Sequence, residues 1–188
     1  MPLRLLKFGL QKEYTEPRMF HSPEHLRDHY DVVIIGGGGH GLAAAHYLAN
    51  EHGITDVAVI EQRYIGHGGT GRNTSIIRSN YLTEEGAKFY QFSVDLYRDL
   101  SRQLDFNLFY SQRGHFTLAH STASLRTQRW RAEVNKHLGI DSEVVGPDFI
   151  QKTIPQIDLT CGGHQPPILG ALYHPPGAIA RHDAVAWA

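Results

Sequence analysis

The run "DVVIIGGGGHGLAAAHYLANEHG", Asp31–Gly53, decides how this chain folds. The β-branched residues from Val32 to Ile35 read as a strand, and an unbroken apolar run suits one covered on both faces. The alanine-rich stretch after the glycines predicts a helix that ends near Gly53. A second apolar run, "DVAVIEQ" (Asp56–Gln62), predicts a second buried strand, so the unit is β-α-β with parallel strands. Within it the pattern G-x-G-x-x-G falls on Gly36, Gly38 and Gly41. Such a pattern is weak alone, but here it follows a strand and opens a helix, in a unit of roughly 30 residues, as dinucleotide binding requires. Gly36 allows the tight turn, Gly38 lets the backbone approach a pyrophosphate, and Gly41 lets helix pack on strand. The helix amino terminus then offers free amides to the phosphates. Glu61 lies ~20 residues beyond Gly41, where a carboxylate accepts from an adenosine ribose and repels a 2′-phosphate. The competing reading is a glycine turn beside a surface glutamate, and the pattern alone leaves NAD and FAD both open.

A second glycine loop, "GHGGTGRNTSIIRSNY" (Gly66–Tyr81), favours a flavin. A simple NAD domain has no need of Arg72, Asn73, Thr74 and Arg78 directly after its second strand. Beside a flavin, amides and hydroxyls there can donate to the cofactor, and an arginine can offset charge on its reduced form. The plainer alternative is a surface loop with solvated arginines.

The remainder reads as mixed α and β. Helical spacing predicts a helix from about Thr83 to Leu104. "LFYSQRG" and "HFTLAHS" predict a strand hairpin around Arg113 and Gly114. "TASLRTQRWRAEVNKHLG" predicts a helix closed by Gly139, and "VVGPDFIQKTIP" a short helix capped at Asp148 and stopped by Pro155. Residues 1–29 read as a polar, irregular arm. Residues 30–188 read as one α/β domain, its cofactor-binding core over about 30–82.

Composition narrows the function classes. The chain has 188 residues, 41% of them hydrophobic, and a formal net charge of −1. That balance gives no reason to expect nucleic-acid or membrane-surface binding. The lone Cys161 excludes an internal disulfide and a cysteine metal cluster. The thirteen histidines show no convincing metal-ligand spacing, so no metal is expected. The first residues do not read as a secretory signal, and a soluble, cytoplasmic setting is expected.

The run from His29 to Gln62, the loop "TGRNTSIIRSNYL", the strand "FYSQRG" and the closing "GAIARHDAVAWA" together resemble the beta subunits of heterotetrameric sarcosine oxidases, within the glycine/D-amino-acid oxidase type of FAD oxidoreductases. The similarity runs in order from about residue 29 to the end. It implies a Rossmann-like FAD-binding domain followed by the beginning of a mixed-sheet substrate domain. Carried over position by position, it implies non-covalent FAD on Gly36, Gly38, His40, Gly41 and Glu61, and on Gly69, Thr70, Thr74 and Ile76. It further implies a second flavin, FMN, joined covalently through its 8α carbon to His182 in "ARHDAVAW", with Arg181 as an FMN contact. The implied reaction oxidises sarcosine to glycine, with formaldehyde or methylene-tetrahydrofolate as co-product, and dioxygen is reduced to hydrogen peroxide. Alpha, gamma and delta subunits are the implied partners. A neutral imidazole suits such a linkage because it is nucleophilic, and the Arg181 cation beside it disfavours the protonated ring.

Family members are longer than this chain, so an incomplete domain, poorly stable and without turnover by itself, is expected. Two alternatives stand beside the leading one: a related FAD-dependent dehydrogenase of another N-methyl amino acid, and an inactive remnant that binds a nucleotide or a partner subunit. Among other candidates, Arg113 reads as a strand residue or a cofactor contact, and His115 and His120 as solvent-facing. His174 is a weaker flavin anchor than His182, and Cys161 an inert loop thiol.

Overall fold

A computed structural model describes residues 26–188, together with Leu10. The arm expected over residues 1–29 lies almost wholly outside the described residues. In chain order the strands are β1 (Val32–Ile35), β2 (Val57–Ile60), β3 (Ile76–Ile77), β4 (Ser111–Gln112), β5 (His115–Ala119), β6 (Glu143–Val145), β7 (Gly170–His174) and β8 (Ala178–Ile179). The helices are α1 (Gly39–His52), α2 (Glu84–Gln103), α3 (Thr122–His137), α4 (Pro147–Thr153) and α5 (His182–Trp187), with 3₁₀ turns at Thr70–Arg72 and Cys161–Gly163. Fold class follows the expectation: a β-α-β unit of the FAD-binding type, then a mixed α and β region.

β1 and β2 pair in parallel from Val32↔Val57 to Ile35↔Ile60, joined by α1. Gly53 ends α1 in the left-handed conformation at φ 66, and its amide donates to the Ala49 carbonyl. The expectation that both strands are covered on both faces is corrected: Val33 and Ile60 are 50% exposed and Ile35 is 89% exposed. The apolar run is built for burial on two sides, but the described residues supply a layer on only one.

The expected hairpin is also corrected. β4 and β5 belong to different sheets, ordered β3-β8-β4 and β5-β7-β6, with β8 and β7 as the antiparallel centres. Gly114, at φ 80, breaks the run between β4 and β5, and the amides of Arg113 and Gly114 both donate to the Gly177 carbonyl. Residues 111–119 therefore pair with 170–179 rather than with each other. The Tyr173 ring fills the space where a Gly114 side chain would stand, its Cε2 only 2.4 Å from a built Cβ.

α2 matches its expected span, and the Thr83 hydroxyl caps it by accepting from the Gly86 amide. α3 is capped by Leu138, with Gly139 following at φ 75. The α4 cap is Gly146 rather than Asp148, because Pro147 takes the first helical position, where its fixed φ and missing amide cost nothing. Val145, Ile150, Ile168 and Ala171 form the core of the second region, with Phe116, Tyr173 and Cys161 packed against it. Cys161 is a free, half-buried thiol.

Candidate functional site

The glycine turn is held from both sides. Gly36 adopts φ 110, and its amide donates to the Ile60 carbonyl at 2.8 Å, tying the end of β1 to the end of β2. A Cβ built on Gly41 would lie 2.0 Å from the Gly36 carbonyl oxygen and 3.2 Å from Ile34 Cγ2. Glycine is therefore a steric requirement at that position, as the motif predicts. Gly38 is the extended residue before α1, and His40 stands exposed in its first turn. The first amides of a helix have no intrahelical acceptor and face an incoming anion.

Glu61 follows β2 directly. One carboxylate oxygen accepts from the Gly37 amide at 2.9 Å, the other from the Arg63 amide at 3.1 Å. These amide bonds, that to Gly37 first, hold the carboxyl below its ordinary pKa and so keep it ionised. A carboxylate has about four acceptor positions, so two amides fix its orientation and leave capacity for ribose hydroxyls.

The second glycine loop closes on the first. Thr70, opening the 3₁₀ turn after Gly69, accepts from the Gly39 amide through its hydroxyl at 2.8 Å. Beyond it, Thr74 and Ile76 reach a cavity of about 440 Å³ that His40, Ser75, Arg78 and His182 also line. The aromatic rings of Tyr81, Phe89, Tyr90 and Tyr97 complete its wall. Two groups of sequence candidates more than a hundred residues apart thus share one space.

His182 opens α5 and is half-buried, its Nδ1 2.9 Å from Ser75 Oγ. Arg181 precedes the helix and is exposed; its guanidinium pairs with Asp183 and sits 5.5 Å above the Phe109 ring. That ion pair raises the Arg181 pKa, lowers that of Asp183, and offsets the charge beside His182. Arg181 is not among the residues lining the cavity.

Behind the cavity lies a polar cluster that residue patterns did not reveal. His174 is fully buried. Its Nδ1 lies 2.5 Å from the Asp141 carbonyl oxygen and its Nε2 3.3 Å from both the amide and the hydroxyl of Ser79. Burial lowers its pKa, so the neutral ring donates to Asp141 and accepts from Ser79. Such a ring ties strand to loop. His115, opposite His174 across the β5–β7 pair, corrects the expectation of a solvent-facing side chain. Its Nδ1 is buried without a partner among the described residues, and burial, reinforced by Arg78, His174 and Arg131, lowers its pKa to about 4. Alternation along β5 shows which residues share a face, but not that α3 packs against β5 and β7 and brings Arg131 near His115. Arg78 donates to Asn80 Oδ1 at 2.8 Å, and its guanidinium lies 4.4 Å from the Tyr81 ring centroid. His120 lies at the other end of β5, its Nδ1 2.8 Å from the Pro166 carbonyl oxygen. Arg113 lies just outside β4, exposed, its Nε donating to Ser111 Oγ.

Among the described residues, no group of three or more histidine, cysteine or carboxylate side chains stands ready for a metal, and no helix is long and apolar enough to cross a membrane. A β-α-β unit with a steric glycine requirement, an oriented carboxylate and a second glycine loop pinned to its helix is the arrangement that dinucleotide binding requires. Residues 31–188 match the family model "FAD dependent oxidoreductase", and the chain belongs to that family.

Within the family the chain is 47% identical to sarcosine oxidase subunit beta of Arthrobacter sp over 170 residues, covering 90% of this chain and 42% of that one. It is 46% identical to the same subunit of Rhizobium meliloti (strain 1021), covering 98% of this chain and 44% of that one. The chain thus spans less than half the length of these relatives. In fold it is similar to L-proline dehydrogenase from P. horikoshii, with TM-score 0.73, 25% identity, and coverage of 86% of this chain and 41% of the other. It is likewise similar to glycine oxidase from Bacillus cereus ATCC 14579, with TM-score 0.72, 22% identity, and coverage of 84% and 42%.

Proposed function

We propose that the chain is the FAD-binding part of a sarcosine oxidase beta subunit, acting on sarcosine in the cytoplasm together with alpha, gamma and delta subunits. The observation that carries this reading is identity of 43–47% to three sarcosine oxidase beta subunits over 88–98% of the chain. The mitochondrial dimethylglycine dehydrogenases of mouse and rat are only 24% and 23% identical over similar lengths, which disfavours the other N-methyl amine reading.

When bound, FAD supplies the two-electron oxidation of the amine and FMN the passage of electrons to dioxygen. Sarcosine then yields glycine with formaldehyde or methylene-tetrahydrofolate, and hydrogen peroxide. The chain's own contributions are positional. Gly36, Gly38 and Gly41 bring the first turn of α1 close enough for its amides to meet a pyrophosphate. Glu61 accepts ribose hydroxyls from an orientation preset by Gly37 and Arg63. Thr70 locks Gly69 and the second loop onto α1, so that Thr74 and Ile76 border the cavity beside His40. His182, on the same cavity, is the anchor for covalent FMN, with Arg181 as a further contact. The donor set fits this role: a half-buried imidazole borders the cavity with Nδ1 held against Ser75 Oγ, and imidazole nitrogen is a nucleophile suited to such a linkage.

Acid precipitation of the assembled holoenzyme tests this reading. Flavin fluorescence is expected to stay with the beta subunit in the pellet and to vanish from it in H182A, while FAD is released to the supernatant in both. A colourless wild-type pellet refutes the linkage. Failure of sarcosine to release hydrogen peroxide refutes the substrate.

A further inference from the structure

Ser75 is a non-glycine residue in the left-handed region, at φ 59. Such a conformation is disfavoured for a side chain and persists where its surroundings over-determine it. Here they do. The Ser75 amide donates to Asn73 Oδ1, and the Ser75 carbonyl accepts from the Ala180 amide at 3.2 Å. One residue on, β3 pairs with β8 through Ile76↔Ile179. On the other side the Arg181 amide donates to the Leu108 carbonyl at 2.9 Å, fixing the start of α5. The result of this stitching is the 2.9 Å contact between Ser75 Oγ and His182 Nδ1 across 107 residues of sequence.

We propose that Ser75 is the positioning residue that selects which nitrogen of His182 reacts with a flavin, an inference that rests on the reading of His182 as the FMN anchor. A hydroxyl can accept or donate. While the ring is free, Ser75 Oγ accepts the Nδ1 proton and so holds the lone pair on Nε2, the nitrogen not tied to the loop. Once Nε2 is alkylated, the neutral ring keeps its lone pair on Nδ1, and the same hydroxyl turns to donate. One contact therefore serves the ring before and after linkage without movement of α5. The overall change balances with dioxygen as oxidant: a flavin methyl C–H and the imidazole N–H are lost, a C–N bond forms at Nε2, and the two electrons and two protons leave as hydrogen peroxide.

The test uses the holoenzyme carrying S75G, which suits φ 59 while removing the hydroxyl, and S75A as a second variant. FAD content reports whether the loop still folds. In both variants covalent FMN on the beta subunit is expected to accumulate about tenfold more slowly, as loss of one partly buried hydrogen bond implies, with FAD retained. Two-dimensional ¹H–¹⁵N NMR of His182, labelled and free of FMN, is expected to show a proton on Nδ1 in the wild type and on Nε2 in S75G. Unchanged attachment in S75G with FAD retained overturns the proposal and leaves the FMN reading standing. Absence of covalent FMN from the wild type removes the FMN reading and this proposal with it, whereas an Nε2 proton on His182 in a wild type that does attach FMN overturns the role of Ser75 alone.

Discussion

Replacing Gly41 by alanine puts a methyl carbon 2.0 Å from the Gly36 carbonyl oxygen, about an ångström inside the range real Cβ atoms occupy. The obstacle is backbone, and Ile34 Cγ2 closes another direction at 3.2 Å, so no side-chain rotation relieves it. Either α1 moves off β1 or the Gly36 turn opens. Overpacking of this kind costs about 3 kcal/mol. Alanine recovers about 1 kcal/mol as a better helix former than glycine. The net destabilisation is about 2 kcal/mol, or roughly 4–8 °C in melting temperature for a chain of this size. The same movement displaces the first amides of α1, so FAD affinity is expected to fall together with stability. Thermal melts and a flavin fluorescence titration read the two effects. G68A is the control, since nothing lies within 4 Å of its built Cβ. A G41A protein that melts and binds FAD like the wild type would refute the close-packing argument.

T70V removes the hydroxyl that accepts from Gly39 while keeping the side-chain shape; loss of about 1 kcal/mol is expected to weaken FAD binding roughly fivefold, measured by the same titration. Glu61 has a folded-state pKa below its ordinary value, so its contribution to stability is present above the ordinary glutamate pKa and lost as pH falls through the lower folded one. E61Q is therefore expected to flatten the acid limb of a melting-temperature profile, and identical slopes would contradict the Gly37 and Arg63 contacts. His115 behaves as a buried neutral histidine. The unfolded chain takes up a proton near pH ~6.5, the folded one only near pH 4, so stability falls as pH drops between those values. H115Q, unfolded with denaturant across that window, is expected to lose most of this dependence.

What the residues disclosed without help was local and steric. The Gly36–Gly41 turn, the α2 span and the end of α1 near Gly53 each depend on neighbours a few positions away, so their reasons are written in the sequence beside them. The β4–β5 pairing failed because Gly114 announces a bend without naming a partner, and the partner is Gly177, remote in sequence and brought near by α3, β6 and α4. His115 failed for a related reason: period-two alternation sorts side chains to faces, whereas which face is enclosed depends on the elements that later cover it. His182 is a third case. Nothing local marks it, and only the family resemblance singled it out. Ser75 was not singled out at all, because a serine between two glycine-loop threonine and isoleucine neighbours looks like any other turn residue. Its contact with His182 arises only when β8 slots between β3 and β4. The turn proposed to hold FAD is thus encoded within one β-α-β unit, while the surface proposed for FMN exists only where the loop after that unit meets α5.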